Sequence, residues 1–166
     1  MQLRLKDCLS LANAISGFLA IVFFFTFGYV SAFALVVLAA AFDFLDGFAA
    51  RKSKSHDELG KQLDSLSDAV SFGVAPALIV LLQHNPELGL NFFVLLLGAV
   101  FFLSATVIRL AKYNLQEEKG VYYGLPSPFA ALLLLAFGWV DLLMATVALF
   151  LLGILMVSRF KLKKIF

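Results

Sequence analysis

Four aspartates, Asp43, Asp46, Asp64 and Asp68, stand within otherwise apolar stretches of this chain. An ionisable side chain in a membrane is costly and is by default a functional group. At about 100° per residue, Asp43, Asp46, Gly47 and Ala50 fall within an arc of about 100° on a helix. Gly60, Asp64, Ser67, Asp68 and Ser71 share a face in the same way. A short connection makes the two helices antiparallel neighbours, so both acidic faces can converge. Four carboxylates in one low-dielectric place would repel and protonate unless cations compensate them. Oxygen-only ligands suit hard cations, Mg²⁺ or Mn²⁺, rather than zinc, and two divalent ions balance the charge. Such a pair can bridge a diphosphate and stabilise charge as a phosphorus–oxygen bond breaks. Gly47, Ala50 and Gly60 remove side-chain bulk beside the carboxylates and let a bulky ligand approach the backbone. An interfacial belt paired with Arg51, Lys52, Lys54 and Lys61 would suit Asp57 and Glu58, assigned to an exposed loop. It does not explain one-faced acids interleaved with small residues.

The elements that must position these acids follow from composition. The 166 residues are 62% apolar and 14% charged, with 19 phenylalanines. Soluble domains carry about 45–50% apolar and about 25% charged residues. The chain is therefore mostly dissolved in lipid: an all-α integral membrane protein with six transmembrane helices. Spanning the hydrocarbon takes about 20 residues. The spans are read at 11–29, 30–51, 61–83, 88–112, 126–140 and 142–158, the last two being short. The third begins inside the acidic stretch.

All 13 Lys and Arg residues fall on one side of this arrangement. Arg4 and Lys6 precede the first span, and Arg51, Lys52, Lys54 and Lys61 separate the second and third. Arg109, Lys112 and Lys119 flank the connection after the fourth, and Arg159, Lys161, Lys163 and Lys164 follow the sixth. The positive-inside rule then places both termini and the acidic site on the cytoplasmic side of the cell membrane. No cleavable signal is read at the N-terminus. The chain reads as a single membrane-embedded domain over 1–166, since its loops are too short to bury a core. The basic tail 161–166 reads as a stop and a contact to lipid headgroups, and no nucleic-acid partner is expected. The lone Cys8 excludes an internal disulfide and a multi-Cys metal site. His56 and His84 read as loop residues on opposite sides of the membrane.

The spacing Asp43-x2-Asp46-Gly47-x2-Ala50-Arg51-x8-Gly60-x3-Asp64-x3-Asp68 resembles the complete signature of the CDP-alcohol phosphatidyltransferases. The resemblance implies a six-helix membrane fold, usually dimeric, and a CDP-lipid donor. It also implies a two-metal site formed by the four Asp and Asp68 as the catalytic base. In that scheme Gly47, Ala50 and Gly60 line a cytidine pocket, with Arg51 a nearby cation. Asp64 and Asn13 also belong to the implied donor site.

Further segments resemble the phosphatidylserine synthase branch of that family. They are Asn13 with Gly17-Phe18-Leu19-Ala20-Ile21, Ser71-Phe72-Gly73-Val74-Ala75-Pro76-Ala77, Arg109-Leu110-Ala111-Lys112-Tyr113-Asn114 and Gly124-Leu125-Pro126-Ser127-Pro128. The branch implies L-serine as acceptor, diacylglycerol or archaeal diether as the donor's lipid, and Arg109, Asn114, Pro126 and Ser127 near the acceptor. A guanidinium can hold a carboxylate with two hydrogen bonds, or grip a donor phosphate. Glycerol 3-phosphate and inositol phosphate are the alternative acceptors. Their phosphates call for several cations where this chain offers Arg109 and Lys112. An acidic-site ion carrier is the alternative of another class. It needs acids near the bilayer centre and a polar path outward, which the apolar outer halves of the spans do not supply.

Overall fold

The structure, a computed structural model, describes residues 5–53, 58–84, 88–115, 121–158 and 161–163, without the side chains of residues 5, 49–53, 121–123 and 161–163. Helices α1 (Leu5–Phe27) and α2 (Tyr29–Ser53) form a hairpin on Gly28, whose φ of 83° is cheap only for glycine. The Ser31 hydroxyl donates to the Gly28 carbonyl at 2.7 Å and closes the turn. The third span, Glu58–His84, consists of α3 (Glu58–Asp68), a π-helical segment (Ala69–Val74) and α4 (Ala75–His84). Pro76 lacks an N–H and its ring excludes the carbonyl a turn earlier, which the wider π turn accommodates. There the Ala75 N–H bonds the Val70 carbonyl, five residues back. Helices α5 (Leu90–Leu115), α6 (Ser127–Gly138) and α7 (Leu142–Val157) complete the bundle.

Among the described residues, six apolar helical segments thus stand where the hydrophobic pattern predicts them. Four, of 22, 20, 27 and 26 residues, are long and apolar enough to cross a membrane. The remaining two, α6 and α7, have 12 and 16 residues, or about 18 and 24 Å of helix. In lipid a helix satisfies its own backbone, and spans associate through close packing rather than hydrophobic exclusion of water. The interior accordingly uses small residues: Ala20, Ala32, Ala39, Ala75, Ala130, Ala131 and Ala145 are all fully buried. Gly98 rests against Leu149 and Phe150, and Gly153 against the Phe101 ring, which brings α5 onto α7. Large apolar side chains such as Phe18, Phe25, Phe44, Leu97 and Leu143 point outward, where lipid solvates them.

One end of the bundle is closed by aromatic and carbonyl contacts. The Tyr29 hydroxyl donates to the Leu135 carbonyl at 2.5 Å, and Trp139 meets the Tyr29 ring edge-on at 4.9 Å. His84, expected in a loop, instead ends α4 and donates from Nε2 to the Gly138 carbonyl at 2.7 Å. Other boundaries differ as well. Helix α1 starts at Leu5, well before Leu11, which brings Asp7 and Ser10 onto it, and Glu58 opens α3 instead of lying in a loop. The helical pattern also misses two short strands, β1 (Val121–Tyr123) and β2 (Lys161–Lys163). They pair antiparallel, with Tyr122 opposite Leu162. His56 and Asp57 lie outside the described residues.

Candidate active site

At the opposite end, α1, α3 and α6 begin where α2, α5 and α7 finish, so six helix ends gather there. The basic residues Lys6, Lys61, Arg109, Lys112, Lys161 and Lys163 lie at this end too. Three of the expected acids converge: Asp43 on α2 with Asp64 and Asp68 on α3 each place a carboxylate oxygen within 4.8 Å of the others. Asp68 is buried, and Asp43 and Asp64 are half-buried. Asp46, one turn beyond Asp43, is buried and fixed by the Ser10 hydroxyl, which donates to Oδ2 at 2.8 Å.

Helix α1 forms the third wall of the site. Asn13 is fully buried, and its Nδ2 donates to Asp68 Oδ1 at 3.0 Å. The Asn13 carbonyl accepts from the Ser71 hydroxyl at 2.8 Å, tying α1 to the π-helical segment. Gly17 permits that approach, because a Cβ there would lie 2.6 Å from the Ser71 Cα. Lys6, near the start of α1, is within electrostatic range of Asp46 and Asp64.

The small residues differ in what stands beside them. A Cβ on Gly47 would meet nothing within 4 Å, so open space adjoins Asp46. A Cβ on Gly60 would overlap the end of Lys6 and come within 3.1 Å of the Asp7 carboxylate. Gly60 therefore admits the start of α1. Ala50 and Arg51 lie on α2, and their side chains are outside the described residues.

Arg109, near the end of α5, is half-buried and close enough to Asp43 to attract its carboxylate. It also donates from Nη1 to the hydroxyl of Ser127. Ser127 is the first residue of α6 and is fully buried, with Pro126 as the helix cap before it. Asn114 turns toward α3: its Nδ2 donates to the Ser65 hydroxyl at 2.7 Å, and its main-chain carbonyl accepts from Lys61 at 2.5 Å. Arg109 thus sits beside the acids, whereas Asn114 reaches them through Ser65, next to Asp64. Sequence reasoning missed Lys6, Ser10 and Ser65, and no spacing rule points to a lone hydroxyl on an apolar helix.

The donor set fits a hard divalent cation. Every ligand is an oxygen, and Asp64 Oδ1 is buried without a hydrogen-bond partner, as a coordinating atom would be. The arrangement can gather a polyanionic group beside Gly47 and hold a proton acceptor, Asp68, against it.

The chain is similar to known proteins over most of its length. The family model described as CDP-alcohol phosphatidyltransferase matches residues 4–160. A CDP-diacylglycerol–serine O-phosphatidyltransferase of Methanocaldococcus jannaschii is 38% identical over 98% of this chain and 75% of its own length. An archaetidylserine synthase of Methanothermobacter thermautotrophicus is 35% identical over 94% of this chain and 68% of its own. A CDP-diacylglycerol–serine O-phosphatidyltransferase of Bacillus subtilis is 34% identical over 92% and 86% respectively. The matched range spans all six helical segments, and this membrane-embedded chain belongs to the CDP-alcohol phosphatidyltransferase family.

Proposed function

We propose that this enzyme transfers a phosphatidyl-type group from a CDP-activated lipid, diacylglycerol or diether, to L-serine with release of CMP. The observation that carries this reading is the placement of Arg109 between the acid cluster and Ser127. It sets a carboxylate-binding guanidinium beside Asp43, in the cluster whose Asp68 is able to take a hydroxyl proton. The serine-using relatives support the choice of acceptor.

Asp43, Asp64 and Asp68, with Asp46 beside them, would hold two Mg²⁺ or Mn²⁺ ions. Bound there, the ions supply charge stabilisation to a diphosphate. The open side of Gly47 is the space for the cytidine end of the donor, with Ala50 and Arg51 following on α2 and Asn13 on the α1 wall, whereas the side of Gly60 is taken by Lys6. Arg109, Asn114, Pro126 and Ser127 border the acceptor. Asp68 takes the proton of the serine hydroxyl, the oxygen forms a bond to the lipid-side phosphorus, and the bond from that phosphorus to CMP breaks. Asn13 holds Asp68 oriented for that transfer. The working unit is a homodimer in the cell membrane, with termini and site on the cytoplasmic side, toward which the basic residues gather.

Purified protein offered CDP-diacylglycerol with equal serine, glycerol 3-phosphate and inositol phosphate should yield only the serine lipid by mass spectrometry. A glycerophosphate product in its place would overturn the choice of acceptor.

A further inference from the structure

The C-terminal strand lies far in sequence from every residue of the site, yet its pairing leads straight to one of them. Strand β2 pairs with β1, and Gly124 follows β1 at once. Gly124 has φ 74°, and a Cβ there would come within 2.9 Å of the Met156 carbonyl carbon and 3.0 Å of the Leu155 oxygen. Only glycine lets the loop pass this close to the last turn of α7. The Leu125 N–H then donates to the Leu155 carbonyl at 3.1 Å, occupying an acceptor that a helix end leaves open. Two residues on stands Ser127, the partner of Arg109.

Helix α5 is tied to the same point. Thr106, one turn before Arg109, packs its hydroxyl 3.7 Å from the Met156 sulfur while donating its proton to the Phe102 carbonyl at 2.9 Å. Both supports of Arg109, its own helix and Ser127, therefore rest on the end of α7. That end does not need β2 for closure. The Ser158 N–H bonds the Ile154 carbonyl at 3.0 Å, and its hydroxyl bonds the Leu155 carbonyl at 2.7 Å. What the strand fixes is the loop into α6.

We propose that β2 is a positioning element for the acceptor side of the site, clipping the 121–126 loop so that Ser127 holds Arg109 in place. The inference rests on the acceptor role given to Arg109 above. It makes the acceptor side sensitive to the chain's last described residues while leaving the acids, which hang on α1, α2 and α3, untouched.

The test uses the full chain with Leu162→Pro and Lys163→Pro combined. Successive amides of a strand point to opposite sides, so one of the two prolines removes a ladder donor whatever the phase. Leu162→Val, which keeps the strand, is the conservative control. Steady-state rates of CMP release are measured against serine and CDP-diacylglycerol separately. The double variant should raise the serine KM about tenfold, the effect of losing a charged hydrogen bond, with kcat and the donor KM near parent values. Leu162→Val should behave as the parent does.

A second readout needs no turnover. In a Cys8→Ser background, Ser127→Cys should be protected from maleimide in the parent and react about tenfold faster in the double variant, as local anchoring is lost. Ala145→Cys, buried in α7, should stay protected in both. A Ser127→Cys rate unchanged by the prolines would overturn the proposal. So would equal deprotection of Ala145→Cys, or a parallel rise of both KM values, since either marks the strand as a general stabiliser. If serine supports no turnover at all, the acceptor assignment fails, and the labelling still decides whether β2 positions Ser127.

Discussion

Asn13 on α1 donates from Nδ2 to Asp68 Oδ1 on α3, a 3.0 Å bond between residues 55 positions apart. It joins the proposed base to a helix that carries none of the four signature acids. With Ser10 on Asp46, it makes the first span part of the site rather than a membrane anchor.

Replacing that amide should therefore act on the chemical step. Asn13→Ala removes a hydrogen bond to a charged group, worth about 1.5–3 kcal/mol, or roughly a ten- to hundredfold fall in kcat. Circular dichroism and thermal unfolding in detergent should show a folded protein. An Asn13→Ala variant with parent kcat would show that Asp68 needs no such orientation.

Two glycines should separate packing from binding. A methyl at Gly17 would press on the Ser71 Cα, so Gly17→Ala should lose about 1–3 kcal/mol of stability, read as a lower Tm. Gly47→Ala meets nothing within 4 Å and replaces a mid-helix glycine, so it should gain about 0.5–1 kcal/mol. Its KM for the CDP-lipid should nevertheless rise, because the added methyl intrudes on the proposed donor space. Unchanged donor KM in a stabilised Gly47→Ala protein would move the cytidine elsewhere.

Arg109 is expected to select the acceptor. Arg109→Lys should raise the KM for serine and Arg109→Ala should raise it further, by roughly ten- to hundredfold. Ethanolamine, which lacks the carboxylate, should be a poor acceptor for the parent enzyme. If the Arg109→Ala defect fell wholly on CDP-lipid binding, the guanidinium would belong to the donor phosphate.

Much of this site is legible in the chain alone. The acids announce themselves because an apolar helix has no other reason to carry Asp43, Asp46, Asp64 and Asp68 at helical spacing. Their neighbours on α1 are harder to read. Ser10 and Asn13 meet their partners across 36 and 55 residues, and periodicity within one helix carries no information about a second. The π-helical turn escapes for a related reason. It follows from how Pro76 is accommodated, while the local pattern still reads as ordinary helix. The β1–β2 ribbon involves three residues on each side, too few for an alternating pattern to stand out, and Lys161 and Lys163 read naturally as a basic tail. Gly60 shows the limit of composition. Its missing side chain suggests room for a ligand, and the space is taken by Lys6.

The most direct measurement is serine-dependent CMP release by the purified protein with CDP-diacylglycerol, titrated with Mg²⁺ or Mn²⁺ and repeated in chelator. Turnover should require the divalent ion, rise with serine and vanish in chelator. Asp68→Asn should abolish turnover while weakening CDP-lipid binding less than Asp43→Asn or Asp64→Asn does. Full turnover in chelator, or a near-parent rate in Asp68→Asn, would contradict the assignment of the acids clustered within 4.8 Å as ion ligands and base.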